Sequence, residues 1–305
     1  MVIHMSNVQE THPKLPAIGA RSGSRWGQER RLEFIDYRLR WGGQLNRSDL
    51  TGFFGISTPQ ASLDLAEYQR RAPGNLEYDS SDRVYRTSAA FDAVFPSSSH
   101  VRYLEDLLRV AVSPDVPYGS FLGGHPPVAV VPRPWRRLDA PVVICVVEAI
   151  RENRALDVRY QSLSNPAPSG RLLTPHALAS DGYRWHMRAY CHQKGEFRDF
   201  LLSRILEVSG REVDRSRGEE DVAWSTMVQL VLAPHPGLEA AHRAVIELDY
   251  GMTDGECVLT CRQSLLFYVL QQLGLAEEDY ARPATRQQIV LRNRDEVERL
   301  LPLGR

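Results

Sequence analysis

Between residues 181 and 205 the chain gathers Arg184, Arg188, Arg198, Arg204 and His186 among the aromatic residues Tyr183, Trp185, Tyr190, Phe197 and Phe200. Read as a strand, the first part puts Trp185, Met187, Ala189 and Cys191 on one face and Arg184, His186, Arg188 and Tyr190 on the other. A turn at Gln193–Gly195 returns a second strand with Arg198 and Phe200 on a shared face and Arg204 at its end. Guanidinium groups grip phosphate or carboxylate at two points, and aromatic rings give a base a surface to stack on. The chemistry expected is that of an anion-reading pocket. A half-buried antiparallel sheet also carries such a polar face for solvation alone, and composition by itself favours that plainer reading.

Four upstream residues join the candidate pocket. Tyr160 and Ser162 share parity on a strand, Arg171 opens the next one, and His176 follows as a lone histidine of the kind that more often satisfies a structural bond.

Catalytic chemistry finds no such constellation. The sequence holds no metal-binding carboxylate cluster, no Ser or Cys nucleophile beside a partnered base, and no deaminase signature. Gly119–Gly124 matches no phosphate-binding loop. Cys145, Cys191, Cys257 and Cys261 are scattered among apolar residues and read as free thiols of a reducing compartment, not metal ligands. Neither a catalytic residue, a metal nor a cofactor is expected, and a nucleotide-acting enzyme remains the minor alternative.

The elements that must position these residues occupy 305 residues, enough for two or three domains. The 43% hydrophobic and 25% charged composition is that of a globular protein, and a net charge of −1 means that any nucleic-acid contact must use local patches. With no run of eighteen apolar residues and no signal peptide, no membrane association is expected, and the cytoplasm is the expected location.

Residues 1–24 lack hydrophobic periodicity and read as a disordered lead. A helix then carries Leu32, Phe34, Ile35 and Leu39 inward and ends at Gly42-Gly43. Asn46 can cap a short helix with Leu50, Phe53 and Phe54 inward. After the turn at Gly55, Ser57 or Thr58 can cap a third helix through Arg71, with Ala61, Leu63, Leu65 and Tyr68 packed. Leu76–Asp79 and Arg83–Thr87 then form a hairpin. This is the layout of a winged helix-turn-helix. On duplex DNA its third helix would offer Ser57, Thr58, Gln60, Ser62 and Asp64 to the major groove, Gln60 reading adenine, while Arg83 and Arg86 of the wing hold phosphate. Residues 25–88 nevertheless hold ten arginines against nine acidic residues, and a protein-interaction module of three helices fits the same pattern.

A helix capped by Ser99 and a Pro- and Gly-rich stretch from Pro114 to Pro134 read as a linker over 91–139. A domain carrying the anion-reading strands is expected over 140–214, from a helix at Ala140 onward. Beyond it, over 215–305, strand, helix, strand, helix and strand alternate as in a small α/β sandwich.

Two stretches carry a family resemblance. Residues 182–190 and 197–205, with Arg171–Leu178 upstream, resemble the signature of WYL domains, Sm-like small β-barrels that serve as ligand sensors in bacterial transcription regulators. The eponymous Trp-Tyr-Leu reads Trp185-His186-Met187 here, leaving histidine where tyrosine is usual. Ser57–Gln69 with Ala72–Asp79 resembles the winged helix of the BrxR and CapW type of WYL repressors, which accompany anti-phage defence islands. The similarity implies a multidomain α+β chain: N-terminal winged helix-turn-helix over 25–90, central barrel, and C-terminal extension. It implies a homodimeric repressor of a defence locus on double-stranded operator DNA, with a pocket of Tyr160, Ser162, Arg171, His176, His186, Arg188, Arg198, Phe200 and Arg204 for a nucleic-acid fragment or nucleotide. An activator of the same architecture is the alternative.

Overall fold

The computed structural model describes residues 22–113, 120–134, 136–213, 218–276 and 282–301. The lead expected over 1–24 lies outside them apart from Ser22–Ser24, which open the first helix. The chain divides into two compact units, one ending at Pro132 and the other beginning at Arg133.

In the first unit, α1 (Ser22–Gly42) is followed by β1 (Gln44–Leu45), α2 (Arg47–Phe54) and α3 (Thr58–Arg71), then β2 (Leu76–Asp79), β3 (Val84–Thr87) and α4 (His100–Val112). Local chemistry sets the boundaries. The Asn46 side chain accepts from the Asp49 amide while the Asp49 carboxylate accepts from the Asn46 amide, a reciprocal cap that starts α2. Gly55, at φ 65°, ends α2, a left-handed conformation that favours glycine. Ser57 then caps α3 by accepting from the Gln60 amide, with Pro59 in the first turn.

The buried face of α3 is Ala61, Asp64, Leu65 and Tyr68, an i, i+3, i+4, i+7 stripe. Two assignments within this helix are thereby corrected. Leu63 is 63% exposed instead of packed, and Asp64, expected to face DNA, is 0% exposed and ion-paired with Arg31. The two strands of the wing pair with Tyr78 opposite Tyr85. The two-residue β1, too short to leave a period, adds a third strand beside β3. The core joins Phe34 to Phe54 and to Phe121. Phe121 comes from the glycine-rich stretch read as linker, so this part of it is built into the winged unit.

The second unit opens with α5 (Ala140–Glu152) and a five-stranded antiparallel sheet of β4 (Arg154–Tyr160), β5 (Ser169–Ser180), β6 (Trp185–Cys191), β7 (Glu196–Leu201) and β8 (Ile205–Val213), in the order β7-β6-β5-β4-β8. Val142, Val146 and Ala149 of α5 pack on Leu156, Val158, Leu173, Met187 and Ala189. β8 has no forerunner in the sequence reading. β7 and β8 stand at the two ends of the order, and no ladder joins them among the described residues, so the sheet is not closed into the expected barrel.

The chain continues through α6 (Val222–Ser225), β9 (Met227–Pro234), α7 (Ala240–Asp249), β10 (Cys257–Arg262), α8 (Leu266–Leu273), β11 (Ile289–Leu291) and α9 (Arg294–Glu298). Its three strands run β10-β9-β11, antiparallel. Val228, Leu230 and Leu232 of β9 meet Ile246, Leu266, Leu270 and Val297 from the helices, giving a mixed helix-and-sheet domain with its own core. No described helix is long and apolar enough to cross a membrane.

Candidate nucleic-acid surface and anion site

At the amino end of α3, Ser57 and Thr58 are exposed and Gln60 is half-buried. Ser57 is committed to its cap. Ser62 Oγ donates to the Thr58 carbonyl at 3.1 Å, and Gln60 Nε2 donates to Asp64 Oδ1 at 3.1 Å. Gln60 is thus tethered to the ion pair beneath it. On the wing, Arg83 is exposed at the hairpin tip with φ 57°. Arg86 is engaged: Nε donates to Asp79 Oδ2 at 2.9 Å, Nη1 to Gln44 Oε1 at 3.0 Å, and Nη2 to Asp82. Such exposed pairs are weak and screened, so exchange of the aspartates for phosphate costs little. Arg47, which pattern reading passed over, donates to Tyr85 Oη at 2.9 Å and so joins α2 to the wing.

The row of cations in β6 does not face water. Arg188 is 5% exposed and His186 3%, because the start of α6 and one face of α8 cover them. Arg188 donates from Nε to Asp221 Oδ2 at 2.7 Å and from Nη2 to Asp221 Oδ1 at 3.0 Å, a two-point grip. Its Nη1 donates to Asp199 Oδ1 at 3.1 Å. His176 Nε2 reaches Asp221 Oδ2 at 2.9 Å, and the Trp224 amide donates to Asp221 Oδ1 at 3.1 Å. Burial pushes the Asp221 carboxyl up, but His176 and Arg188 overcome this and hold it well below the usual carboxylate range. Beside it, Tyr268 of α8 donates to Asp199 Oδ2 at 3.1 Å, and His186 Nε2 meets Asp181 Oδ2 at 3.0 Å. Burial likewise raises Asp181, while His186, the Tyr183 amide and Arg184 bring it to about 2. A cleft of about 450 Å³ opens next to this network, lined by Asp181, Tyr183, Arg184, Tyr268, Gln271 and Gln272.

The sequence-predicted pocket residues therefore divide into two groups. His176, His186 and Arg188 lie together against the C-terminal domain. Phe200 pairs with Met187 and Arg198 with Ala189, so both belong to the opposite, core-side face of the sheet. Phe200 packs edge-on to Tyr160 at 5.3 Å, and Tyr160 Oη accepts from the Leu201 amide at 3.2 Å, which makes this aromatic pair part of the core. Arg198 lies near Glu196 at 3.5 Å. Arg171 stands opposite Val158 on the same core-side face, its Nε buried without a hydrogen-bond partner. Ser162 is engaged within its loop by the Asn165 amide, and the Arg204 carbonyl accepts from the Gln161 amide. Trp185, expected inside, is 48% exposed at the strand's end. Among the described residues no three His, Cys, Asp or Glu side chains are grouped to hold a metal ion.

The residues missed are the acids. Asp199 was within reach of the sequence, since a hairpin centred on Gln193–Lys194 sets Arg188 opposite Asp199. Asp221 was not, because nothing local announces a partner 33 residues away.

Three family models match the chain: the winged helix-turn-helix domain of the BrxR transcriptional regulator over residues 27–109, the WYL domain over 142–209, and the BrxR C-terminal dimerization domain over 227–297. A protein of Escherichia coli (strain KTE188) named DNA-binding transcriptional repressor CapW is 57% identical over 281 residues, 92% of this chain and 94% of its own. Proteins of the same name from Pseudomonas aeruginosa, 56% identical over 94% of this chain and 96% of theirs, and Stenotrophomonas maltophilia, 45% identical over 90% and 92%, are also similar. Among solved structures, proteasome accessory factor B/C of Arthrobacter aurescens aligns with 95% of this chain at 18% identity and a TM-score of 0.27, the alignment spanning 51% of that protein.

Proposed function

The chain belongs to the family of BrxR-type transcriptional regulators with a WYL domain, and on that premise we propose that it is a DNA-binding transcriptional repressor that answers an anionic ligand. The observation that carries this reading is the pair α2–α3, each capped by its own side chain and backed by a three-stranded wing, in a chain similar over nine-tenths of its length to proteins named repressors.

Two copies joined through their C-terminal domains present two α3 helices to major grooves about 34–36 Å apart on a pseudo-palindromic operator. Thr58, Gln60 and Ser62 meet base edges, with the Ser57 cap fixing the helix start, and Arg83 and Arg86 position the wing on phosphates. The anionic ligand is a nucleotide or nucleic-acid fragment, bound in the cytoplasm. His176, His186 and Arg188 serve as its inner contacts. The regulated locus is one of anti-phage defence. Ligand releases the operator by preferring the conformation in which the two α3 helices are misplaced, and a tenfold loss of affinity needs only about 1.4 kcal/mol of coupling.

The test is a reporter driven by the intergenic DNA upstream of the gene for this chain, in cells with and without the protein. Lower output with the protein present, relieved by Gln60→Ala with Arg83→Ala, is the result expected. Unchanged output overturns the regulatory reading, and higher output identifies an activator.

A further inference from the structure

We infer that Arg188 and His176 form a phosphate subsite whose present occupant is the chain's own Asp221, and that a ligand phosphate binds by displacing it. The inference deepens the proposed function and rests on it only for the consequence at the operator.

The geometry is that of an oxyanion site already filled. Arg188 presents Nε and Nη2 to the two Asp221 oxygens at 2.7 and 3.0 Å, and His176 meets one of those oxygens at 2.9 Å. A phosphate monoester offers the same pair of oxygens to the same fork, with more negative charge. Asp199 holds the third nitrogen of Arg188 and is itself held by Tyr268, so the Nε–Nη2 edge stays aimed when Asp221 departs. Asp199 still balances the charge of Arg188 when Asp221 leaves, but the buried Nε and Nη2 donors would be left without an acceptor, which is unfavourable. The exchange therefore selects for an anion that enters as the carboxylate leaves.

The occupant is mounted on a small element. Asp221 stands between the 3-10 turn Gly218–Glu220 and the four-residue α6. Gly218 lies flush on the His176 ring: a Cβ there would come within 2.9 Å of His176 Cβ. Behind Asp221, Trp224 meets the His176 ring edge-on at 5.7 Å, and its carbonyl accepts from Arg262 Nη1 at 2.6 Å. Arg262 ends β10, inside the segment matched by the dimerization domain. Displacing Asp221 thus pulls on a strand of that domain, giving the sensing sheet a mechanical line to the dimer.

The experiment is calorimetric titration of inorganic phosphate and of pyrophosphate into the full chain, its Asp221→Asn variant and its Gly218→Ala variant. Asp221→Asn keeps the shape and removes the competing charge, and Gly218→Ala lifts the segment from His176. Both are expected to bind at least tenfold more tightly than the wild type. A merely structural ion pair would lower stability without raising affinity, and equal or weaker binding by the folded variants overturns the inference. Hydrogen exchange on the wild type decides the matter without any variant: saturating pyrophosphate should accelerate exchange over 218–225, and unchanged exchange there contradicts displacement. Failure of the wild type to select operator DNA would overturn the repressor reading, while the phosphate comparison still decides the subsite.

Discussion

Asp64, in the middle of the candidate reading helix, is fully buried and held at two points by Arg31 of α1, Nε to Oδ2 at 2.6 Å and Nη2 to Oδ1 at 3.2 Å. The pair fixes α3 against α1 and also tethers Gln60, so it supports the reading surface without belonging to it. Truncation leaves Arg31, itself mostly buried, without its partner. Asp64→Ala is expected to lower stability by about 3 kcal/mol in urea unfolding of the winged unit. A loss below about 0.5 kcal/mol would show that the pair is not structural.

Phe121 fills the space between Phe34 and Tyr37, at ring distances of 5.3 and 5.8 Å. Phe121→Ala is expected to cost about 3–5 kcal/mol, the range for a buried aromatic. A true linker residue would leave the thermal midpoint unchanged.

What was legible in the sequence follows physical range. The first three helices of the winged unit are announced locally, by the Asn46 and Ser57 caps, by Gly55, and by the spacing of Leu32, Ile35 and Leu39. The reversal at Leu63 and Asp64 shows the limit of residue type as a guide. The buried stripe of α3 runs through position 64, and the sequence cannot say that Arg31 waits beneath it. Phe121 was hidden by glycine neighbours that read as linker. The cations of β6 were visible, but the carboxylates that fill them lie on other elements, and only Asp199 could have been placed by hairpin register.

Reading and anchoring residues should separate by how their loss behaves. Gln60→Ala is expected to cost about 1–3 kcal/mol of operator affinity and to relax preference at one base pair. Arg83→Ala should weaken all sequences alike and lower the slope of log affinity against log salt by about one. Identical behaviour of the two variants across an operator mutation panel would contradict this division.

The Asp181 carboxyl is depressed to about 2 from an unfolded value near 3.8. A depressed carboxylate contributes stability that is fully present above the unfolded value and is lost as protons bind the folded form. The contribution from Asp181, with its bonds to His186 and Arg184, is therefore constant near neutrality and disappears as the pH falls from about 4 through about 2. Comparing wild type with Asp181→Asn by urea unfolding across pH 2 to 7 checks it. The stability difference should narrow toward pH 2, and one that holds constant would contradict the assignment.

On the function proposed, this chain reads operator DNA through α3. The most direct measurement is a gel-shift titration of the purified protein against its own upstream intergenic DNA and a scrambled duplex of equal length, at one fixed salt concentration. Saturable shifting of the native duplex at nanomolar protein is expected, with the scrambled duplex weaker by roughly a thousandfold or more. Equal, weak shifting of both would contradict it.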